Sequence, residues 1–235
     1  MRNLMKKSKF LLLCFLVCSC VEKTPHYIGE EYLNAKYVFN PLGEEKAPDT
    51  DPLIRFDAFD CVTFVETSLS DNNVKKLSKI RYKNNEVDFV SRNHFIESDW
   101  LENNKSLVEN VSSLYAKTSV RSVALDKKSW FKKIHNIDTD FEKQTVDIEY
   151  IPYENLSKID IQSPLIVLFI HDGTGLKKKI GTDLAVVHMG FLLPNNVLRH
   201  ASREYGRIMD TDFEAYVNKR KQNKHNIGIA LLKIK

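Results

Sequence analysis

From Pro164 to His171 the chain reads PLIVLFIH, an unbroken apolar run between a proline and a histidine. A run this short and this uniformly apolar suits a strand covered on both faces, the centre of a sheet. The segments around it alternate instead. TVDIEYI (Thr145–Ile151) puts Val146, Ile148 and Tyr150 on one face. LAVVHMGFLL (Leu184–Leu193) and VLRHAS (Val197–Ser202) flank PNN, a hairpin signal. NIGIALLKIK closes the chain as a further strand. Ahead of all these, the pattern from Asp60 is helical: Phe64, Val65, Ser68 and Leu69 share a face with Cys61 at i+3, i+4, i+7 and i+8. Helices early and antiparallel strands late define an α+β domain.

The remaining segments are read more coarsely. YIGEEYLNAKYVF (Tyr27–Phe39) predicts a helical turn or two, and NPLGEEKAPDTDPL (Asn40–Leu53) a loop rich in proline. Asp57 or Asp60 serves as N-cap of the helix that follows, because a short carboxylate accepts from the open amides of a first turn. A second helix covers Val74–Ile80. Arg81–Asn104 is polar and aromatic loop, with a short helix near Trp100. TDFEAYVNK (Thr211–Lys219) opens with a capping-box pattern, Thr211 to Glu214.

The N-terminus belongs to a different class of sequence. Arg2, Lys6, Lys7 and Lys9 precede FLLLCFLV (Phe10–Val17), which is too short for a resident transmembrane helix and has the form of an export signal. Val17 and Ser19 before Cys20 resemble a bacterial lipobox, implying cleavage before Cys20 and lipidation of its thiol. The expected organisation is a signal peptide at 1–19, a tether at 20–26 and one domain at 27–235. Localisation would then be the bacterial envelope, as a periplasmic or outer-membrane lipoprotein. Residues 1–19 hold four of the 35 basic residues and none of the 31 acidic ones, so the rest of the chain balances at 31 of each. The formal charge of +4 belongs to the signal, and no basic footprint for nucleic acid remains. Oligomeric state is not encoded in any pattern here.

Cleavage also removes Cys14 and Cys18, and lipid would occupy Cys20, leaving Cys61 as the one free thiol. It has no intrachain disulfide partner, and no Cys/His cluster of zinc spacing surrounds it. Core filler and nucleophile remain. In a first helical turn, open amides and the helix dipole lower a thiol's pKa, and the Cys61 N–H is available to a developing oxyanion. A nucleophile needs a base, and a base needs an orienting group. His188 lies inside LAVVHMGFLL, and His200 lies twelve residues on in VLRHAS. A three-residue loop at 194–196 pairs Gly190 with His200 and puts both histidines on one side of the sheet. A two-residue loop puts them on opposite sides. Spacing leaves both open.

Several stretches together resemble a known family: NPLGE (Asn40–Glu44), DPLIRFDAFDCVTFVET (Asp51–Thr67), Arg81–Tyr82, SRNHF (Ser91–Phe95) with Asp99–Trp100, HMGF (His188–Phe191) and HAS (His200–Ser202). The chain is similar to the NlpC-type papain-like peptidases of the cell wall, in the N-acetylmuramoyl-L-alanine amidase-like branch first catalogued as a domain of unknown function. The resemblance implies a papain-like α+β fold with the cysteine helix packed on an antiparallel sheet. It implies Cys61 as nucleophile, His188 as base and His200 as orienting residue, with no metal or other cofactor. Its substrate would be peptidoglycan fragments (muropeptides), cut between the lactyl group of N-acetylmuramic acid and L-alanine. Two alternatives stand beside it: cleavage of the γ-D-glutamyl–diamino acid bond, and a non-catalytic lipoprotein that binds wall fragments. Arg92, Asn93 and His94 are candidate contacts for stem-peptide carboxylates or sugar, or else a polar network under the helix. Trp100 is a candidate sugar-stacking ring, or else packing. Arg55 and Asp57 are expected to fix the loop before Cys61. The lysine-bearing loop 172–183 has no assignable role.

Overall fold

The computed structural model describes residues 27–157 and 159–235. The signal, the lipobox and Cys20 lie outside the described residues. The architecture is mixed α+β, as the strand and helix patterns require. Among the described residues ten strands form one sheet: β1 (Lys36–Tyr37), β2 (Ala58–Phe59), β3 (Val108–Asn110), β4 (Ser119–Leu125), β5 (Gln144–Pro152), β6 (Leu165–His171), β7 (Val186–Leu193), β8 (Val197–Ser202), β9 (Arg207–Asp212) and β10 (Asn226–Ile234). Their order is β2-β1-β9-β8-β7-β6-β10-β5-β4, with β3 on β10. Every pairing is antiparallel except β1 with β2. The helices are α1 (Cys61–Ser70), α2 (Val74–Arg81), α3 (Leu101–Asn103), α4 (Lys127–Trp130), α5 (Leu176–Ile180) and α6 (Phe213–Lys221).

The unbroken apolar run is β6, paired with β7 on one side and β10 on the other. Its side chains enter two cores. Ile166, Leu168 and Ile170 join Phe64, Val65 and Leu69 of α1 together with Met189 and Phe191 of β7. Val167 and Phe169 join Leu198, Ile229, Leu231 and the α6 residues Phe213 and Val217. That double burial is why the run does not alternate. Each fully buried aliphatic or aromatic side chain contributes roughly 1.5–3 kcal/mol, so these two layers clamp α1 and α6 onto opposite faces of the sheet.

Two expectations are corrected, and one open alternative is decided. The segment Tyr27–Phe39 forms one 3-10 turn, Glu30–Tyr32, and then strand β1 rather than a longer helix. Its Lys36 N–H donates to the carbonyl of Asp57, which commits the chain to the sheet edge. Thr211 is in β9, and the cap of α6 is Asp212, whose carboxylate accepts from the Ala215 amide at 2.7 Å. Asp57 caps nothing. It forms an exposed bidentate pair with Arg55 at 2.9 and 2.7 Å, which fits the loop-fixing role expected of both.

Candidate active site

Cys61 opens α1. Asp60 is the N-cap, and the capping box is complete: its Oδ1 accepts from the Thr63 amide at 2.8 Å, while the Thr63 hydroxyl accepts from the Asp60 amide at 2.9 Å. The other carboxylate oxygen accepts from the Asn40 amide at 3.2 Å, tying the 40–53 loop to the helix start. The amides of Cys61, Val62 and Met189 are directed at the thiol and favour its ionised form. Burial and the Asp60 carboxylate act the other way and prevail, pushing the Cys61 thiol up to about 12. The lowered thiol pKa expected from helix position alone is therefore corrected: three amides do not offset an apolar enclosure and an adjacent carboxylate.

The hairpin resolves the register question. Phe191 pairs with Arg199, Leu192 with Leu198 and Leu193 with Val197, leaving 194–196 as a three-residue turn. Asn195 and Asn196 adopt positive φ, which asparagine tolerates better than most residues. This register places His188 and His200 on one face, with Nε2 of His188 2.8 Å from Nδ1 of His200. Gly190 makes the approach feasible. A Cβ there would sit 2.7 Å from the Arg199 carbonyl oxygen and 2.9 Å from the His200 Cβ. The face is closed by aromatics: Phe169 lies 5.5 Å from the His188 ring, and Tyr216 of α6 lies 4.9 Å from the His200 ring.

Burial lowers the pKa of both histidines, His188 well below its usual value and His200 to about 4. At neutral pH the pair is therefore uncharged, so one ring donates and the other accepts. If His188 donates through Nε2–H, its Nδ1 is left as a proton acceptor. A neutral His200 is what allows that tautomer.

Cys61 and His188 line the same cavity, of about 280 Å³, walled by Phe95, Ile96, Val186 and Met189. A second, more polar cavity of about 450 Å³ adjoins it, sharing Phe39, Val62, His94, Trp130 and Ile180. Among the described residues no group of three or more His, Cys, Asp or Glu is placed to hold a metal ion.

The other candidate residues divide. Trp100 is fully buried, and its Nε1–H donates to Glu66 Oε1 at 3.1 Å. It has no face for a sugar, so the stacking expectation is corrected to core packing. Arg92 donates to Glu44, Asn40 and Asp49 at 2.8, 3.0 and 2.7 Å. Those partners neutralise the guanidinium and pin the 40–49 loop, which removes it as a carboxylate anchor. Asn93 donates to the Ile80 carbonyl at 2.9 Å and braces α2. His94 does face both cavities. Its Nε2–H donates to the Phe89 carbonyl at 2.6 Å, and burial lowers its pKa to about 3, so it presents a neutral ring.

Three cavity residues carried no signal in the sequence. Phe39 is 78% exposed in a loop, where an aromatic has no pattern. Trp130 sits in KKSWFKKIH, whose lysines mask it. Ile180 is brought to the cavity by α5, within the unassigned 172–183 loop.

The chain belongs to the AmiA-like family, N-acetylmuramoyl-L-alanine amidase-like, whose model matches residues 27–228. A Legionella pneumophila protein of the family DUF1460 is similar in structure, with TM-score 0.79 and 26% identity over 88% of this chain and 86% of its own. An N-acetylmuramoyl-L-alanine amidase of Bacteroides uniformis has TM-score 0.67 and 20% identity, covering 88% of this chain and 95% of its own. A Bacteroides fragilis protein named as a candidate xylanase has TM-score 0.66 and 22% identity over 88% and 98%. The last two likenesses bear on the fold alone. No curated protein matches the chain in sequence.

Proposed function

We propose that the protein is a cysteine amidase of peptidoglycan with a papain-like arrangement, cutting between the lactyl group of N-acetylmuramic acid and L-alanine. The observation that carries this reading is the convergence of three groups. Cys61 at a capped helix start and His188 share one cavity, and His188 is held by His200 at 2.8 Å. Family membership supports the amide bond and the peptidoglycan substrate.

The proposed steps use those three groups. As Sγ of Cys61 attacks the lactyl carbonyl, its proton passes to Nδ1 of His188, and Nε2–H of His188 remains bonded to His200. The Cys61 N–H has no partner within the helix and stabilises the oxyanion. The tetrahedral intermediate collapses, the C–N bond breaks, and the imidazolium returns its proton to the leaving alanine amine. A thioester to the lactyl group remains. His188 then takes a proton from water, hydroxide adds to the thioester, and the Cys61 thiolate leaves with that proton, freeing the muramic carboxylate. Residues 1–20 support an envelope lipoprotein anchored through Cys20.

Mass analysis of a defined muropeptide tests the bond. Intact stem peptide with a free L-alanine amine is expected. Muramoyl-alanyl-glutamate, together with a peptide that begins at a free diamino acid, would instead assign the γ-D-glutamyl bond.

A further inference from the structure

Behind the histidine pair lies a cation that the proposed steps leave unused. Tyr216 and Arg220 are four residues apart on α6, so they share one face of that helix. Tyr216 covers the pair directly. Its ring lies 4.9 Å from that of His200, 6.0 Å from that of His188 and 5.1 Å from that of Phe169. Arg220 stands one layer further out. Its guanidinium carbon is 5.6 Å from the centre of the Phe169 ring, and that ring is 5.5 Å from His188. The charge is therefore no more than about 11 Å from the His188 ring.

This guanidinium is held without being neutralised. One terminal nitrogen donates to Asn226 Oδ1 at 3.0 Å, and Nε is buried with no hydrogen-bond partner. Among the described residues no carboxylate pairs with it. Arg199, the next cation along, is different, because Asp210 accepts from it twice, at 2.8 and 2.9 Å. The other groups around the pair are uncharged near pH 7 or matched. Burial keeps the Cys61 thiol on α1 and the Tyr216 phenol protonated, and it keeps His171 at the end of β6 neutral. Glu204, ahead of β9, is paired with Lys219 at 2.5 Å. Asp210 favours a proton on His200, but both its oxygens are taken by Arg199.

We propose that Arg220 is a positioning residue of the amidase: its guanidinium, fixed behind Phe169 and Tyr216, opposes an extra proton on the His188–His200 pair. Nδ1 of His188 can accept from Cys61 only while the pair lacks that proton. A fixed cation nearby disfavours the protonated pair, as burial does. The same repulsion acts again after attack, when the His188 imidazolium gives its proton to the leaving amine. The catalytic consequence rests on the amidase reading, whereas the effect of the charge is read without catalysis.

The experiment titrates the pair in wild type, Arg220→Met, Arg220→Gln and Arg220→Lys. Imidazole proton–nitrogen NMR spectra report the protonation of His188 and His200, and kcat/KM for a muropeptide is followed over the same acid range. A unit charge about 11 Å away, at an effective dielectric of about 20, is worth about one pH unit, which solvent at the half-buried guanidinium reduces to roughly half a unit to one. The titration of the pair and the acid limb of kcat/KM should therefore both rise by that amount in the two neutral variants and stay near wild type in Arg220→Lys. Arg220→Gln keeps a donor for Asn226, which covers the case in which the methionine variant does not fold. No rise in a folded neutral variant would overturn the proposal. An equal rise in Arg220→Lys would also overturn it, by assigning the effect to packing. A shifted titration with no cleavage by wild type would keep the role of the charge and overturn the amidase reading. Cleavage with an unshifted titration would keep the amidase and overturn the role of Arg220.

Discussion

The protonation state of Cys61 separates two ways of running this site, and alkylation measures it. A pre-formed thiolate–imidazolium pair requires the thiol pKa to fall below that of its base. Here burial and Asp60 push the thiol up to about 12 while burial holds His188 below its ordinary value. At pH 7.5 such a thiol is ionised to about 3 parts in 100,000, against about one part in ten for free cysteine. The more basic thiolate is more nucleophilic, which recovers roughly 25- to 50-fold. Alkylation of Cys61 by iodoacetamide should therefore be about 100-fold slower than that of free cysteine at pH 7.5. The rate should rise about ten-fold per pH unit through pH 9 without a plateau. The assay is intact mass against time for the chain from residue 27, in which Cys61 is the free thiol. A plateau with a midpoint below about pH 8, or a rate matching free cysteine, would refute the neutral pair.

Two further substitutions probe what builds the site. Gly190→Ala drives a Cβ against the Arg199 carbonyl and the His200 Cβ, neither of which a rotamer change can move. It should cost about 1–3 kcal/mol in chemical denaturation and lower amidase turnover by displacing His200. Arg81→Met leaves Glu66, a buried residue of α1 bonded to Trp100, without its cation. A loss of roughly 3 kcal/mol in urea unfolding is expected, and no loss would show that Glu66 is neutral in the native state.

The parts legible in the sequence are those set by local periodicity. PLIVLFIH had to be a doubly covered strand, and the spacing around Cys61 had to be a helix, with Asp57 and Asp60 both open as its cap until the structure chose Asp60. The histidine pair was half legible: twelve residues across PNN allowed two registers, and the two positive-φ asparagines of the turn selected one. The roles of Arg92 and Trp100 were not legible, because an arginine looks the same whether or not Glu44 and Asp49 neutralise it from another segment. Trp100 likewise is packed in the core with its N–H satisfied by Glu66, 34 residues away. The thiol pKa depends on desolvation by β7 and the cavity walls, which helix position does not report. Phe39 and Trp130 line one cavity from loop and helix segments far apart in sequence.

The central claim is that Cys61 is the nucleophile of an amidase, and one comparison tests it most directly. Wild type and Cys61→Ala are incubated with the same muropeptide, with near-UV circular dichroism to verify the fold of each. Release of intact stem peptide by wild type, and a loss of at least about 10⁴-fold in the variant, is the predicted result. Release at the wild-type rate by a folded Cys61→Ala protein would contradict it.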